Sequence, residues 1–354
     1  GLIGTVEYCI GSRAIPAART TPEAPVLQQF MTQMLGAGCD SAIMEVSSHA
    51  LEQKRVAAIE FDVGVFTNLS RDHLDYHKTR EAYGAAKELL FSGLKASAAA
   101  IINTDDELGH QIASGRDSVC DIVTYGTGED ADFCISQIEP EYERTSFSLR
   151  LRGKKHSLQT NMTGRFNVFN IVAALAVAER AGLDMGNAMA AIAHLPTVPG
   201  RLEEVSNERG IKILVDYAHT DDALEKILTA LRETTDGRLI LVFGCGGDRD
   251  KSKRPAMGAV ASKMADHTVV TSDNPRKENA ATIIAEIEVG FSAGSSYEVE
   301  PDRELAIRKA VEMAKKGDVL VIAGKGHENF QEFENTTVSF DDRNIVRKIL
   351  DECR

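Results

Sequence analysis

The chain has 354 residues, of which 43% are hydrophobic and 26% are charged, a composition typical of a globular protein long enough for two domains. Its formal net charge of −13 argues against general affinity for nucleic acids or anionic membranes, although a local basic site can still bind a small anion. The absence of a CxxC pair and of any membrane-length apolar run favours a cytoplasmic protein with reduced thiols over a disulfide framework or a zinc site. The six cysteines are Cys9, Cys39, Cys120, Cys134, Cys245 and Cys353.

The first half of the chain predicts strands alternating with helices, followed by an antiparallel β region. Residues 1–6 read as the middle of a strand, so we expect the chain to be a fragment that begins inside an element. A helix is predicted over 79–94, with Thr79 as its N-cap. The other predicted strands lie at 41–46, 61–66, 98–102, 121–125, 132–138, 145–151 and 156–160, and the other helices at 26–35, 171–181 and 185–193.

Two of these strands end in polar clusters, which is where open α/β sheets bind ligands. The strand at 41–46 runs into Glu45, Ser47, Ser48 and His49, and a carboxylate, two hydroxyls and an imidazole could form a site for magnesium and an anion. The two serines could equally cap the next turn. The strand at 61–66 is followed by the cluster Asn68, Ser70, Arg71, Asp72, His73, Asp75 and His77.

Lys87 lies on the apolar face of the helix predicted at 79–94. Tyr83, Leu90 and Phe91 stand at the spacings that share its face. The residue pattern alone favours a lysine with a buried stem and a solvated ammonium. The alternative is a desolvated lysine with a lowered pKa, whose neutral amine could act as a nucleophile or base, or take up CO2 as a metal-binding carbamate.

The second half of the chain predicts a parallel sheet with right-handed crossovers. Residues 194–201, with two prolines and a glycine, are the best candidate for a linker. Polar clusters follow the strands at 216–219, 244–251, 273–276 and 324–328. Together they predict one binding site along one sheet edge, although any single cluster could serve only to stabilise a turn. The predicted strands are 212–216, 239–243, 268–271 and 319–322, and the predicted helices are 221–232, 255–264, 280–287 and 304–315.

The segment 244–252 almost matches a phosphate-binding loop. Asp250, however, stands where the loop has the glycine before its lysine. A carboxylate there would repel phosphate, and its bulk would hinder the close backbone approach that glycine permits. We therefore interpret this segment as a substrate loop.

The ordered motifs resemble the Mur ligases of peptidoglycan synthesis, and within that family the MurE ligases that add the third residue of the stem peptide. The resemblance covers essentially the whole chain. The segments that carry it are 45–51, 68–77, 83–87, 164–167, 200–203, 216–220, 273–276 and 324–328.

The resemblance implies an α/β fold of two domains. Residues 1–197 would be the central ATPase-type domain, with a parallel sheet and a small antiparallel β region, starting after the family's P-loop. Residues 198–354 would be the Rossmann-like C-terminal domain that binds the incoming amino acid. The family's N-terminal UDP-binding domain and its P-loop are not matched. The alternative is therefore a catalytically incomplete fragment, or a non-catalytic binding module of this fold.

The implied reaction is an ATP-dependent ligation in two steps. ATP phosphorylates the terminal carboxylate of UDP-MurNAc-L-Ala-D-Glu, and the amine of meso-diaminopimelate then attacks the acyl phosphate. The resemblance makes Lys87 a carbamylated lysine that holds Mg2+ together with Glu45 and His73, a role that suits oxygen ligands. It implies a cytoplasmic enzyme of cell-wall synthesis, cell shape and cell division, expected to be a monomer without nucleic-acid or membrane partners.

The resemblance also assigns three groups of binding residues. Arg55 would be a fork for a carboxylate or phosphate. The residues that match contacts to the UDP-MurNAc dipeptide are Thr20, Thr21, Ser47, Gln53 and Arg55; those on the nucleotide side are Asn167, Arg201 and Asp216; and those that match contacts to diaminopimelate are Arg254, Asp273, Asn274, Pro275, Arg276, Gly324 and Glu328.

Residues 273–276 match the family's marker for meso-diaminopimelate, whose far end is a zwitterion. Arg276 can clamp the distal carboxylate bidentately, and Glu328 can pair with the distal ammonium. A lysine substrate carries only an ammonium there, which Arg276 would repel. Arg276 and the motif at 45–48 therefore argue against the lysine-adding and folate-type relatives. One departure is Asp221, where the family usually has proline, but an aspartate also suits a helix N-terminus.

Overall fold

The computed structural model describes residues 1–115, 119–141 and 144–352 of the chain. It opens with a small sheet in the strand order β3-β2-β1-β4, in which β1 and β4 are parallel and the other pairs are antiparallel. Only two residues of the segment predicted as a strand at 41–46 pair, because Ser47 already caps a short helix. The elements are β1 (Leu2–Ile3), β2 (Glu7–Ile10), β3 (Arg13–Pro16), α1 (Ala24–Gly36), β4 (Ile43–Met44) and α2 (Ser48–Glu52).

A second sheet has six strands in the order β10-β9-β8-β7-β6-β5. Strands β5 to β8 pair in parallel and β8 to β10 pair antiparallel. The segment predicted at 121–125 as part of the antiparallel region is therefore parallel to both neighbours. The strands are β5 (Val63–Phe66), β6 (Ala99–Asn103), β7 (Asp121–Gly126), β8 (Phe133–Pro140), β9 (Thr145–Leu151) and β10 (Lys154–Thr160).

Helices cover this second sheet, and one of them carries Lys87. That helix, α4 (Arg80–Ser92), begins after Thr79, whose side chain accepts a hydrogen bond from the amide of Ala82, so the predicted N-cap is confirmed. The main core cluster of this sheet packs its strands against α6, which begins six residues before its predicted start. The other helices are α3 (Leu74–His77), α5 (Glu107–Ser114), α6 (Arg165–Arg180) and α7 (Met185–Ala191), which continues into a 3-10 turn at Ile192–His194.

A third sheet follows, in the order β11-β12-β16-β13-β14-β15, and all of its pairs except β11–β12 are parallel. Every residue of β12, β13 and β16 is buried because helices cover both faces of the sheet. The α/β class predicted from the sequence is confirmed. The elements are β11 (Glu203–Glu204), β12 (Lys212–Asp216), α8 (Asp221–Arg232), β13 (Leu239–Phe243), α9 (Lys253–Met264), β14 (His267–Val270), α10 (Ala280–Glu288), β15 (Tyr297–Val299), α11 (Arg303–Met313), β16 (Val319–Ala323), a hairpin of β17 (Phe330–Phe333) and β18 (Thr336–Ser339), and α12 (Asp342–Glu352).

The exposed segment 195–199 separates the second and third sheets, and Gly200 anchors its end. Gly200 has a φ of +69°, and a Cβ built on it would lie 2.1 Å from the amide nitrogen of His327. Only glycine allows this approach, so the segment is held against the loop that follows β16.

None of the five described cysteines is in a disulfide, and Cys353 lies outside the described residues. Among those residues, no helix has both the length and the apolarity for crossing a membrane.

Candidate active site

A continuous hydrogen-bond network follows β4 and contains all five residues predicted to contact the UDP-MurNAc dipeptide. The Thr21 hydroxyl donates to the carbonyl of Glu45 at 2.8 Å and accepts from the amide of Ser47 at 3.0 Å. The Glu45 carboxylate accepts from the amide of Thr5 at 3.2 Å, and the Thr5 hydroxyl lies 3.1 Å from that of Thr20. The network therefore fixes the strand end that presents Glu45.

Arg55 extends this network towards α3. Its Nη1 donates to the carbonyl of Thr21 at 2.9 Å, and its Nε and Nη2 donate to Oε1 of Gln53 at 3.1 and 2.6 Å. Gln53 in turn donates to the hydroxyl of Tyr76 at 3.1 Å. The Ser47 hydroxyl accepts from the amide of Ala50 at 3.2 Å and caps α2, so the capping role that the sequence left open is realised.

Three histidines from α2, α3 and the turn before α3 form a cluster beside this network. The ring of His49 lies 5.0 Å from that of His73 and 5.3 Å from that of His77. His77 is buried, with Nε2 2.8 Å from the hydroxyl of Ser48 and Nδ1 3.5 Å from the carboxylate of Glu52. Burial is the largest influence on all three imidazoles and lowers the pKa of each, which favours their neutral, lone-pair-bearing forms.

Lys87 borders the same cluster through Tyr83. Its Nζ lies 4.9 Å from the centre of the Tyr83 ring, which stacks on His77, and it makes no hydrogen bond or ion pair with another residue in the described part of the chain. Burial lowers the pKa of Lys87, although the charges of Asp72 and Asp106 oppose this shift. The amine is therefore more readily neutral than that of an ordinary solvated lysine.

The predicted magnesium ligands are only partly brought together. His73 and Lys87 both border Tyr83, at 5.8 and 4.9 Å from its ring, whereas no hydrogen bond or ion pair joins Glu45 to either of them in the described residues. Residues 1–115, 119–141 and 144–352 contain no group of three or more His, Cys, Asp and Glu side chains placed to hold a metal ion. Within the predicted set, Glu45 offers the oxygen ligands that Mg2+ prefers, and Lys87 would offer them only as a carbamate, because an ammonium has none.

A cavity of about 330 Å3 contains two of the three residues predicted on the nucleotide side, Asn167 and Arg201. Asn167, near the start of α6, donates from Nδ2 to the carbonyl of Thr163 at 2.9 Å, and the guanidinium of Arg201 lies 4.8 Å from the centre of the Tyr217 ring. Asp216 does not line the cavity. Its carboxylate accepts from the amides of Leu202 and Ala218, both at 2.7 Å, and burial raises its pKa against these two donors.

The loops after β14 and β16 lie side by side and join several residues predicted for diaminopimelate. The Asn274 amide donates to Oε2 of Glu328 at 2.8 Å. Its oxygen accepts from Nζ of Lys325 at 3.0 Å, and the same Nζ is 3.0 Å from Glu328. Lys325 is fully buried. Its burial could not be predicted from the sequence, since a lysine between two glycines gives no sign of burial.

Arg276 is held by the β17–β18 hairpin. Its amide donates to the carbonyl of Glu332 at 3.1 Å, and its Nε donates to the Glu332 carboxylate at 2.7 Å. Its Nη1 donates to the carbonyl of Gly247 at 2.8 Å, and its Nη2 makes no hydrogen bond within the described residues. The backbone of Arg276 is left-handed, with a φ of +52°, and the hairpin contacts stabilise this conformation. Glu332 was not predicted, because its partner lies far away in the sequence.

Three other predicted residues shape the backbone of these loops. The carbonyl of Asp273 accepts from Nε2 of Gln331 at 2.7 Å. A Cβ on Gly324 would lie 2.5 Å from the Asp273 carboxylate, and a Cβ on Gly247 would lie 1.9 Å from the carbonyl oxygen of Pro275. The loops therefore pack so closely that glycine is required where they meet.

Arg254 lies against the loop at 246–247. Its guanidinium is fully buried and donates to both oxygens of Glu278, at 3.0 and 2.9 Å, and to Glu286 at 2.6 Å. Its Nη2 also donates to the carbonyl of Gly246 at 3.2 Å. In this arrangement Arg254 supports the loop, with two carboxylates already bound.

Two contacts join the second-sheet and third-sheet sides of the site. Nη2 of Arg71 donates to the hydroxyl of Ser252 at 2.6 Å, and Nε2 of His219 lies 3.6 Å from the carboxylate of Asp72. Burial alone would raise the pKa of Asp72, but the hydrogen bond and charge of His219 and the charge of His73 hold it below its usual range. The histidine cluster therefore faces the loops of the third sheet.

Comparison with known families identifies two matching models. Residues 1–178 match the Mur ligase middle domain, and residues 200–326 match the Mur ligase glutamate ligase domain. Over 354 residues the chain is 44% identical to UDP-N-acetylmuramoyl-L-alanyl-D-glutamate–2,6-diaminopimelate ligase 1 of Clostridium acetobutylicum, covering 99% of this chain and 72% of that protein. It is 43% identical, with the same coverages, to the corresponding ligase of Caldanaerobacter subterraneus subsp. tengcongensis.

The solved structures agree with this result. A UDP-N-acetylmuramoyl-L-alanyl-D-glutamate–2,6-diaminopimelate ligase superposes with a TM-score of 0.65 at 37% identity, covering 99% of this chain and 72% of that one. The MurF ligase of Thermotoga maritima, solved with ADP, has a TM-score of 0.66 at 20% identity, covering 84% of this chain and 64% of that one, and is similar in fold.

Proposed function

The chain belongs to the Mur ligase family, and from that premise we propose that it is the part of an ATP-dependent amide ligase that adds meso-diaminopimelate to UDP-MurNAc-L-Ala-D-Glu. In this reaction a carboxylate oxygen of the glutamate attacks the γ-phosphorus of ATP and ADP leaves. The amine of diaminopimelate then attacks the acyl carbon, and phosphate leaves as the amide forms. The product would serve cytoplasmic peptidoglycan synthesis, and hence cell shape and division.

The observation that carries this proposal is the pair Arg276 and Glu328, linked through Asn274. Nη2 of Arg276 and Oε1 of Glu328 make no hydrogen bond within the described residues, and both side chains are 20% exposed. One group can therefore receive a carboxylate and the other an ammonium, which together make up the distal end of diaminopimelate. Lysine offers only the ammonium.

The remaining predicted residues receive roles on the phosphoryl-transfer side. The network of Thr20, Thr21, Ser47, Gln53 and Arg55 would bind the UDP-MurNAc dipeptide, and Asn167 and Arg201 would bind the nucleotide, with Asp216 holding the backbone next to Arg201. Glu45, His73 and carbamylated Lys87 would hold Mg2+. When bound, Mg2+ neutralises charge on the transferring phosphate.

The division of labour between domains is part of the same proposal. Residues 1–197 would form the phosphoryl-transfer domain and residues 198–354 the amino-acid-binding domain, and we expect the protein to act as a monomer. The separate core clusters of the second and third sheets support this division. The close packing of Gly200 against His327 supports a boundary at the segment that ends there.

A ligation assay tests the proposed function. ATP, Mg2+, UDP-MurNAc-L-Ala-D-Glu and meso-diaminopimelate are incubated with this chain, and separately with the same residues carried in a protein of its relatives' full length. Phosphate release and the tripeptide product, detected by mass spectrometry, are expected in at least one of the two. A non-catalytic binding module would bind diaminopimelate without phosphate release in either, and that result would contradict the ligase assignment.

The Arg276→Ala variant tests the specificity of the clamp. Loss of a charge-assisted hydrogen bond of roughly 1.5–3 kcal/mol should raise the Kd for meso-diaminopimelate about 10- to 100-fold, measured by calorimetry. The Kd for L-lysine should stay the same or fall, because the repelling guanidinium is gone. The Arg80→Ala variant, which removes an exposed arginine on the second-sheet side, is the control. Equal weakening of both ligands would contradict the clamp.

A further inference from the structure

Lys325 is a fully buried cation inside the proposed amino-acid site. Its Nζ lies 3.0 Å from Oδ1 of Asn274, 3.0 Å from Oε2 of Glu328 and 5.5 Å from the centre of the Phe330 ring. An unpaired buried ammonium is costly, so the positions of its two acceptors are coupled to its own. Both acceptors belong to the residues proposed to contact diaminopimelate.

The contacts of Lys325 fix how Glu328 presents its carboxylate. Oε2 of Glu328 accepts from Nζ of Lys325 at 3.0 Å and from Nδ2 of Asn274 at 2.8 Å. Oε1 accepts no hydrogen bond from the residues that the structure describes. Because one oxygen is saturated, the carboxylate cannot rotate freely, and a single oxygen remains for a ligand.

The same contacts link two ion pairs of the site. Lys325 pairs with Glu328, and Arg276 pairs with Glu332 at 2.7 Å. The Asn274 amide connects the two pairs, because its oxygen also accepts from the backbone amide of Glu332 at 3.0 Å. Two cation–anion pairs therefore lie at this end of the site, beside the carboxylate of Asp273. A zwitterionic ligand end finds a partner for each of its charges, Oε1 of Glu328 for the ammonium and Nη2 of Arg276 for the carboxylate, whereas a lone ammonium leaves Arg276 without one.

We propose that Lys325 is a positioning residue that determines specificity, acting through Glu328 and Asn274 so that the site prefers a distal zwitterion to a distal ammonium. The inference rests on the proposed function, in which Glu328 receives the distal ammonium of meso-diaminopimelate. Lys325 itself, being fully buried, does not touch the ligand.

The test compares the Kd values for meso-diaminopimelate and L-lysine, measured by calorimetry, in the wild-type chain and the Lys325→Met variant. Methionine keeps most of the side-chain volume and removes the charge. The meso-diaminopimelate Kd should rise because Lys325 no longer holds Glu328 or, through Asn274 and Glu332, Arg276 in place. L-lysine uses Glu328 but not Arg276, so its Kd should rise less. The preference for meso-diaminopimelate should therefore shrink about tenfold or more. A general disturbance of the loop would weaken both ligands equally and leave the preference intact, which would overturn the inference.

A double-mutant cycle keeps the test decisive if Lys325→Met does not fold. The Lys325→Met/Glu328→Gln variant removes both members of the buried pair and leaves no unpaired charge. Its meso-diaminopimelate Kd should match that of Glu328→Gln alone, since Lys325 acts through Glu328. A further loss of about tenfold in the double variant would overturn the inference. Lys263→Met, which removes an exposed lysine from the same half of the chain, is the control for net charge.

The wild-type measurement distinguishes failure of the proposed function from failure of the role proposed for Lys325. If the wild-type chain binds neither ligand, the proposed function fails, and the role of Lys325 fails with it. If the wild type prefers meso-diaminopimelate and Lys325→Met keeps that preference, only the role of Lys325 fails.

Discussion

Three buried cations support the loops on the amino-acid side of the site, and each is paired with a carboxylate. Arg303, on α11, is fully buried and donates to both oxygens of Asp342 at 2.8 Å. It also donates to the carbonyls of Ser272 and Ala323, at 3.4 and 3.1 Å, which immediately precede the two substrate loops. The same arrangement of a buried cation with a carboxylate occurs in Arg254 with Glu278 and in Lys325 with Glu328. The loops are thus fixed at their bases by buried cations.

Glu278 should make the stability of the chain sensitive to acid. Its hydrogen bonds to Arg254 lower its pKa from 4.5 to about 2, with Lys251 adding to the shift and burial opposing it. A depressed folded-state pKa stabilises the fold above pH 4.5, and this stabilisation is lost as the pH falls towards 2. Glu278→Gln should lower the free energy of unfolding at pH 7 by about 3 kcal/mol, because it leaves Arg254 with Glu286 alone.

Urea unfolding at several pH values checks this prediction. The difference in the free energy of unfolding between wild type and Glu278→Gln should narrow between pH 4.5 and about 2, since only the wild type loses the contribution. The control is Glu225→Gln, an exposed carboxylate 3.9 Å from Lys263, which should show no such trend. A difference that stays constant with pH would contradict the assigned role.

Two lysines, Lys87 and Lys325, differ in how far the sequence predicts their surroundings. The helical spacing of Tyr83, Leu90 and Phe91 predicted the apolar face from which Lys87 projects, and the structure places its amine over the Tyr83 ring. Lys325 offered no comparable pattern. Its burial results from Asn274, 51 residues away in the sequence, and no local periodicity reports such a contact.

At the scale of elements, α9 and α10 pack so closely that a side chain is excluded between them. A Cβ on Gly258, within α9, would lie 2.2 Å from the carbonyl oxygen of Ile287 in α10. The obstacle is backbone, so neither helix can yield without moving the other. This packing keeps Glu286 of α10 within reach of Arg254 of α9, 2.6 Å apart.

Gly258→Ala should therefore destabilise the protein by about 1–3 kcal/mol, although alanine is the better helix former. The matched control is Gly36→Ala at the end of α1, where a Cβ would meet nothing within 4 Å. That change should be neutral or stabilising by up to about 1 kcal/mol. Urea denaturation of both variants measures the change in the free energy of unfolding. Similar changes in the two variants would contradict the role assigned to the close approach of Gly258 to the backbone of Ile287.

The elements that the sequence predicted best are those whose residues are uniformly buried. Strands 212–216 and 239–243 were predicted at their observed bounds, because all of their side chains lie in the core. The hairpin β17–β18 was missed, since every residue of β18 is exposed and carries no hydrophobic signal. The hydrophobic pattern also could not predict that β7 runs parallel to its neighbours, because side chains alternate in the same way in parallel and antiparallel strands.

At the scale of the whole molecule, the two halves of the site meet through polar contacts and through Phe166 of α6, which packs against a core cluster of the third sheet. Arg71 with Ser252 and Asp72 with His219 join the second-sheet and third-sheet sides. All four partners lie in polar segments that were identified in the sequence. Their pairing, however, depends on how the two cores pack against each other. No pattern within either half encodes that arrangement, so the sequence predicted the two sets of residues without predicting their contact.

Arg71→Ala combined with Asp72→Asn should loosen this arrangement without unfolding either half. Each contact is partly exposed and worth at most about 1 kcal/mol, so losing both should lower the equilibrium ratio of the observed arrangement to more open ones by up to about 30-fold. Small-angle X-ray scattering should show a larger radius of gyration at an unchanged melting temperature. Arg80→Ala, which breaks an exposed pair with Glu107 on the second-sheet side only, should change neither. An unchanged radius in the double variant would show that the packing of Gly200 on His327 and of Phe166 on the third-sheet core is sufficient.

The position of β16 in the third sheet determines when during synthesis the amino-acid site can exist. β16 lies between β12 and β13 and pairs with both, yet it is made after them and after β14 and β15. On the ribosome, β12 and β13 must therefore wait with unpaired edges, which are prone to aggregate and suited to chaperone binding. The loops at 273–276 and 324–328 come together only when β16 inserts. A nascent chain therefore cannot bind its amino acid until nearly all of its residues have emerged.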